Sequence, residues 1–183
     1  MKIAIILGSV RENRRSVNVA KLLNELLKKR GGVEVELLDL KEYSFPVMEE
    51  RLRFLKNPPD GMIDFSATLD SADGIIIVSP EYNGSFSGVL KNTLDYFKDE
   101  YFKKAVGVVT VSSGSLGGVN ASHHLLSWAL HVKAIPSPFK LMVQNVDDLF
   151  NEDGELSDND LGDRSEKFLK EFLWLTESLS IKE

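Results

Sequence analysis

Residues 73–88 read DGIIIVSPEYNGSFSG, the most informative stretch of the chain. Four consecutive β-branched residues, Ile75 to Val78, run straight into the turn-rich segment Ser79-Pro80-Glu81-Tyr82-Asn83-Gly84, and a helical pattern begins directly after it. A short apolar run that opens into a polar loop has the pattern of a buried parallel strand at its carboxyl end. In open α/β sheets that end is where ligands bind. The loop offers backbone N–H groups, a ring, a carboxylate and an amide within four residues, more chemistry than a connection requires.

The same alternation of strand and helix runs outward in both directions. Residues 2–7 (KIAIIL) predict a buried strand ended by Gly8-Ser9. From Ser16 to Arg30 the apolar Val19, Leu22, Leu23, Leu26 and Leu27 keep helical spacing, with Lys28, Lys29 and Arg30 in the last turn and Gly31-Gly32 as the stop. Residues 33–38 alternate like a half-exposed strand, and residues 39–61, broken by three prolines and Gly61, are irregular. A short helix over 62–71 leads into the strand at 73–78, and a longer one over 87–98 follows the loop. Residues 104–111 (KAVGVVTV) predict another buried strand, followed by SSGSLGG and a helix to about His131. A fifth strand near 139–143, a small hairpin around Asp153-Gly154 and a C-terminal helix over 160–179 complete the chain. Five strands with intervening helices predict an α/β, three-layer sandwich with a five-stranded parallel sheet and right-handed crossovers. With no repeat, low-complexity tract or linker, residues 1–183 are expected to form one domain.

The bulk numbers agree with an ordinary globular chain. Of 183 residues, 43% are apolar and 27% charged, and 28 acidic against 22 basic residues give a net charge of −6. That balance argues against a nucleic-acid partner, which needs a basic surface. The absence of cysteine removes disulfides, thiolate nucleophiles and Cys-ligated metals. A strand starting at residue 2 leaves no room for a signal peptide, and no apolar run approaches a membrane span. The expectation is a soluble cytoplasmic protein without a membrane partner.

Three loops of similar character close the three apolar strands: residues 8–18 (GSVRENRRSVN), 79–85 (SPEYNGS) and 112–118 (SSGSLGG). Parallel strands put all three on one edge of the sheet. In the flavodoxin-like order 2-1-3-4-5 the first two flank the switch point. The first loop combines Gly8, the hydroxyls of Ser9 and Ser16, and the guanidinium groups of Arg11, Arg14 and Arg15, and it leads into a helix N-terminus, where free N–H groups and the dipole favour anions. It is neither a Walker loop nor a GxGxxG fingerprint, and a solvated loop with Ser16 as a plain N-cap has the same composition. In the second loop Asn83-Gly84 is a common turn pair, whereas Glu81 and Tyr82 are not turn formers. The glycines of the third loop permit close backbone approach to a ligand, as they would permit simple flexibility.

Together these loops resemble the NADPH-dependent FMN reductase family, flavodoxin-like enzymes that include quinone, azo-dye and chromate reductases. The resemblance is carried by Gly8-Ser9-Val10-Arg11, by Pro80-Glu81-Tyr82-Asn83-Gly84-Ser85, by Gly114-Ser115-Leu116-Gly117-Gly118, and by the helix Gly88-Val89-Leu90-Lys91-Asn92-Thr93-Leu94-Asp95. It spans about residues 2–145. It implies an FMN-dependent NAD(P)H oxidoreductase that works by a ping-pong mechanism, accepting hydride from NADPH or NADH and passing electrons to a quinone, azo compound, flavin or metal oxyanion. By the resemblance Ser9, Arg11 and Ser16 hold the FMN phosphate, with Arg15 and Asn18 nearby. Pro80, Glu81, Tyr82, Asn83 and Gly84 line the ring and ribityl chain, while Ser113, Gly114, Ser115 and Gly117 meet the ring through backbone groups. Two residues more than in some relatives separate Arg11 from Ser16, which leaves open whether Arg14, Arg15 or Ser16 touches phosphate. The family resemblance also implies a homodimer or homotetramer.

Flavin chemistry needs no acid–base dyad from the protein, and none is nominated. The histidines His123, His124 and His131 share one predicted helix, but an i, i+4 metal pair would need His at position 127, which is Ser127. Trp128 and Trp174 fit core or subunit-interface positions, and the acidic run 151–163 fits a solvated surface. Two other readings share the fold: a flavodoxin-type electron carrier, which favours a hydroxyl-rich loop over one with arginines, and a receiver-like binding domain. The latter would need acidic residues where this chain has Gly8-Ser9.

Overall fold

A computed structural model describes residues 1–151 and 153–180. In chain order the elements are β1 (Lys2–Leu7), α1 (Ser16–Lys29), β2 (Glu34–Asp39), α2 (Met62–Ser71), β3 (Gly74–Tyr82), β4 (Ser85–Phe86), α3 (Gly88–Tyr96), β5 (Ala105–Val111), α4 (Val119–His131), β6 (Ile135–Pro136), β7 (Leu141–Val143) and α5 (Asn159–Ser180). The sheet runs β2-β1-β3-β5-β6, with β7 also on β5 and β4 antiparallel on β3. Counting β6 and β7 as two pieces of one edge strand, this is the expected 2-1-3-4-5 order.

Two local differences from the sequence expectation have clear causes. The fifth strand is split, β6 pairing with the start of β5 and β7 with its end. Pro136 and Pro138 sit at the break, and proline cannot donate to a ladder. The stretch 79–85, expected as a loop, is mostly strand. Ser79 and Pro80 stay in register with Thr110 and Val111 of β5, and Glu81 and Tyr82 then pair with Phe86 and Ser85. Asn83 and Gly84, with φ of 50° and 78°, close the hairpin as the two-residue turn this pair favours.

The buried strands divide their side chains between two cores. Ile3, Ile5, Leu7, Ile76 and Val78 join Val19, Leu23 and Leu27 of α1 and Phe168, Leu169 and Phe172 of α5. Ala4, Ile6, Ile75 and Ile77 join Phe65 of α2, Leu90 and Leu94 of α3, and Leu125 and Trp128 of α4. Both faces are covered, which is why these strands read as unbroken apolar runs rather than alternating ones. Of the two tryptophans, Trp128 is in the core, whereas Trp174 is 59% exposed. Phe150 and Leu156 form an isolated antiparallel bridge around the Asp153-Gly154 turn; Glu152, within the acidic run, lies outside the described residues. No described helix is long and apolar enough to cross a membrane.

The packing of α5 on the sheet depends on the smallest side chain. A Cβ on Gly107, in the middle of β5, would stand 2.8 Å from Phe168 Cζ and 3.0 Å from Phe172 Cδ2. Both rings are fully buried and have nowhere to move. Gly107→Ala is therefore expected to destabilise the fold by about 1–3 kcal/mol, the usual scale of overpacking. Urea unfolding monitored by circular dichroism measures this; an unchanged midpoint would show that α5 is not held against β5.

Candidate functional site

Because β1, β3 and β5 are parallel neighbours, their carboxyl ends deliver the three polar segments to one edge. There they enclose a cavity of about 370 Å³. Its wall includes Ser9, Arg11, Arg14, Arg15 and Ser16 from the first loop, Pro80, Glu81 and Tyr82 from the hairpin, and Ser112, Ser113 and Gly114 from the third loop. Nine of the residues expected at a site thus meet around one space: Ser9, Arg11, Arg15, Ser16, Pro80, Glu81, Tyr82, Ser113 and Gly114.

Two junctions fix the first loop. Gly8 N–H donates to the Val78 carbonyl at 2.8 Å, extending the β1–β3 pairing by one bond. A Cβ on Gly8 would meet Leu90 Cδ2 at 2.9 Å and Leu90 Cβ at 3.1 Å, so α3 can approach this closely only because residue 8 is glycine. Ser87, the N-cap of α3, accepts from Leu90 N–H at 3.3 Å and donates its hydroxyl to the Gly8 carbonyl. The second junction is Arg14. Its guanidinium forks onto the Asp39 carboxylate at the end of β2, one arm at 2.6 Å, and also donates to the Ser9 carbonyl. Both side chains are largely shielded, at 11% and 15% exposure. Arg14 is therefore a brace of the loop, its two terminal nitrogens engaged by Asp39 and the Ser9 carbonyl.

The start of α1 has the chemistry of an anion site. Its N-cap residue is Arg15, in αR conformation and without a side-chain capping bond. Ser16 is thus the first helical residue rather than the cap. Its hydroxyl is buried and has no hydrogen-bond partner among the described residues. A buried unpaired hydroxyl costs free energy unless something fills its place. Here it lies at uncapped helix N–H groups and on the cavity wall. Arg11, exposed and with its guanidinium carbon 5.6 Å from the Tyr82 ring centroid, stands at the same wall.

The other two walls suit a flat group. Tyr82 is held by a hydrogen bond between its hydroxyl and Ser9 Oγ at 3.1 Å. The Glu81 carboxylate accepts from Ala121 N–H at 3.0 Å, capping the first turn of α4 where a negative charge complements the helix dipole. That bond ties the hairpin to the end of the third loop. Ser112 Oγ accepts from Gly114 N–H at 3.0 Å, and Ser113, Gly114 and Ser115 are exposed, leaving one side of the cavity open.

Five expected residues stand outside the cavity wall. Asn83 and Gly84 make the hairpin turn, Ser115 is exposed on the third loop, and Gly117 is buried, its carbonyl accepting from Thr110 Oγ1 at 2.7 Å. Asn18 turns away, its Oδ1 lying 3.2 Å from where a Cβ on Gly154 would sit. Conversely, sequence reasoning missed Glu12, Asn13, Val111, Ser112, Val146 and Asp147. Val111 ends the expected strand 104–111, and Ser112 could have been found as its continuation. Nothing in the sequence brings Asp147 to Arg15, 132 positions away.

The three histidines are exposed, and His124 Nδ1 is 2.9 Å from Ser85 Oγ. Among the described residues no three His, Cys, Asp or Glu side chains gather as a metal site would need. Ser87→Ala is expected to lose about 1–2 kcal/mol of stability, the scale of a cap plus one buried hydrogen bond. Thermal and urea unfolding check this; wild-type stability would mean that the Gly8–Ser87 junction does not hold the loops together.

Comparison with known proteins places this geometry among relatives. A sequence profile described as NADPH-dependent FMN reductase matches residues 1–148. An NAD(P)H-dependent FMN reductase, ntnL, of a Nectria species is 32% identical over 177 residues, covering 91% of this chain and 86% of that protein. An NADPH azoreductase of a Bacillus species is 33% identical over 164 residues, with 87% and 84% covered. An FMN-dependent NADPH-azoreductase of Staphylococcus aureus is 33% identical over 170 residues, with 87% and 86% covered. Among solved structures, the flavoenzyme NAD(P)H:acceptor oxidoreductase FerB of Paracoccus denitrificans superposes with a TM-score of 0.84 at 22% identity over 97% of both chains. A flavodoxin from Pseudomonas aeruginosa superposes at 0.61 and 15% identity, over 94% of this chain and 99% of the other.

Proposed function

The chain belongs to the NADPH-dependent FMN reductase family, and from that premise we propose that the three-loop cavity is its FMN site. The protein is an FMN-dependent NAD(P)H oxidoreductase. The observation that carries the site assignment is the buried, unpartnered Ser16 hydroxyl at the uncapped start of α1. A phosphate group fits there: it supplies acceptors to that hydroxyl, to the helix N–H groups and to the Arg11 guanidinium together. Arg15 flanks the same position. The Tyr82 ring and the backbone of residues 112–114 suit the flat ring system, with Pro80 and Glu81 shaping the wall between them. Asn18, Asn83, Gly84, Ser115 and Gly117 serve as framework.

When bound, FMN supplies the hydride and electron transfer. The chain's own part is to bind and orient. Ser9 fixes Tyr82, Arg14 braces the loop against Asp39, and Glu81 locks the hairpin to α4. The exposed small residues of the third loop leave a face open, so that a nicotinamide and then a small acceptor occupy it in turn. That arrangement favours a ping-pong mechanism with a quinone, azo compound, flavin or metal oxyanion as acceptor. The flavodoxin-type carrier shares the fold, but the curated relatives that match this chain at 32–33% identity carry nicotinamide-dependent names. We further read residues 1–183 as one domain, working in the cytoplasm as a homodimer or homotetramer.

Titration of the apoprotein with FMN tests the assignment. Arg11→Ala and Ser16→Ala are expected to weaken binding, the former by about 1.5–3 kcal/mol as for a lost charge-assisted hydrogen bond. Melting temperatures should stay near wild type. Unchanged dissociation constants in both variants would refute the phosphate assignment.

A further inference from the structure

The three arginines of the first loop have three different fates, and one of them is contested. Arg14 is committed to Asp39. Arg11 meets the Tyr82 ring and makes no ion pair among the described residues. Arg15 donates from Nε to Asp147 Oδ1 at 3.1 Å, with both side chains about half exposed, at 48% and 52%. Asp147 belongs to a 3-10 turn, Val146–Asp148, that follows β7. That turn is pinned to the third loop through Val146 N–H to the Ser112 carbonyl at 3.2 Å and Asn145 N–H to the Gly114 carbonyl at 3.3 Å. Arg15 and Asp147 line the same cavity as the unpartnered Ser16 hydroxyl.

An anion at Ser16 therefore approaches an arginine that a carboxylate already holds. We propose that Asp147 attenuates cofactor binding: it competes with the phosphate for the Arg15 guanidinium. The inference rests on the reading of this cavity as the FMN site. Removing the carboxylate charge leaves Arg15 free for the phosphate and removes a like charge beside it. Breaking this ion pair should thus tighten cofactor binding, the reverse of the usual consequence of losing a salt bridge. The pair is exposed, so the effect is modest and screened by salt.

The test is the affinity of apoprotein for FMN and for riboflavin, which lacks the phosphate, by quenching of flavin fluorescence at low and high salt. Asp147→Asn is expected to bind FMN roughly two- to fivefold more tightly at low salt, the range of an exposed ion pair. The gain should shrink at high salt and be absent with riboflavin. In an Arg15→Gln background the same change should give no gain. Unchanged or weaker FMN binding by Asp147→Asn at low salt would overturn the proposal, as would an equal gain with riboflavin. Failure of the underlying site reading looks different: wild-type protein would bind FMN no better than riboflavin, whatever stands at position 147.

Discussion

The hydroxyl of Ser87 accepts from the first turn of α3 and donates to the carbonyl of Gly8, and the site is organised around that shared bond. It joins the segment after β1 to the segment after β3 across the point where strand order reverses. The bond is geometrically available only because Gly8 lets Leu90 of α3 close to contact distance. From it the first loop is led over the sheet edge to Arg14, whose fork onto Asp39 fixes the far side. Between these two anchors the chain has little freedom, and Ser9, Arg11 and Ser16 are presented to one space. A preorganised loop of this kind spends less conformational entropy on binding than a flexible one.

Electrostatics then distribute the roles within the loop. Three arginines close in sequence would repel one another and bind anions without discrimination. Here one is neutralised by a shielded carboxylate, one is shared with an exposed carboxylate, and one stands over the Tyr82 ring without an ion pair among the described residues. Glu81 performs the complementary task on the opposite wall. Its carboxylate is spent on the N-terminus of α4, which gives an acid in the cavity wall a structural role. The chemistry belongs to the flavin, and these residues hold geometry.

Much of this was legible in the sequence, for physical reasons that differ by element. Ile75 to Val78 and the run 105–111 announce buried strands because both faces of a parallel sheet are covered, so no polar alternation interrupts them. Ser16 and the Pro80–Tyr82 motif stood out because their chemistry exceeds what turns require, and the fold brings them to one cavity wall. Asn83-Gly84 was legible as a turn pair, and its backbone conformation forms the hairpin turn that this pair favours. The roles of Arg14 and Arg15 were not legible, since their partners Asp39 and Asp147 are distant in sequence and ordinary in context. The split of the edge strand was written in Pro136 and Pro138, whose missing donors matter more than the apolar residues beside them.

An enzyme of this fold presents its FMN to nicotinamide directly, whereas an electron carrier does not. Anaerobic mixing of the FMN-loaded protein with NADPH or NADH, followed in the visible flavin band, tests this difference with no other protein present. Rapid bleaching, with colour restored on adding a quinone or azo dye, is the expected result. A flavin that stays oxidised with both nicotinamides would contradict the account and identify the protein as a carrier.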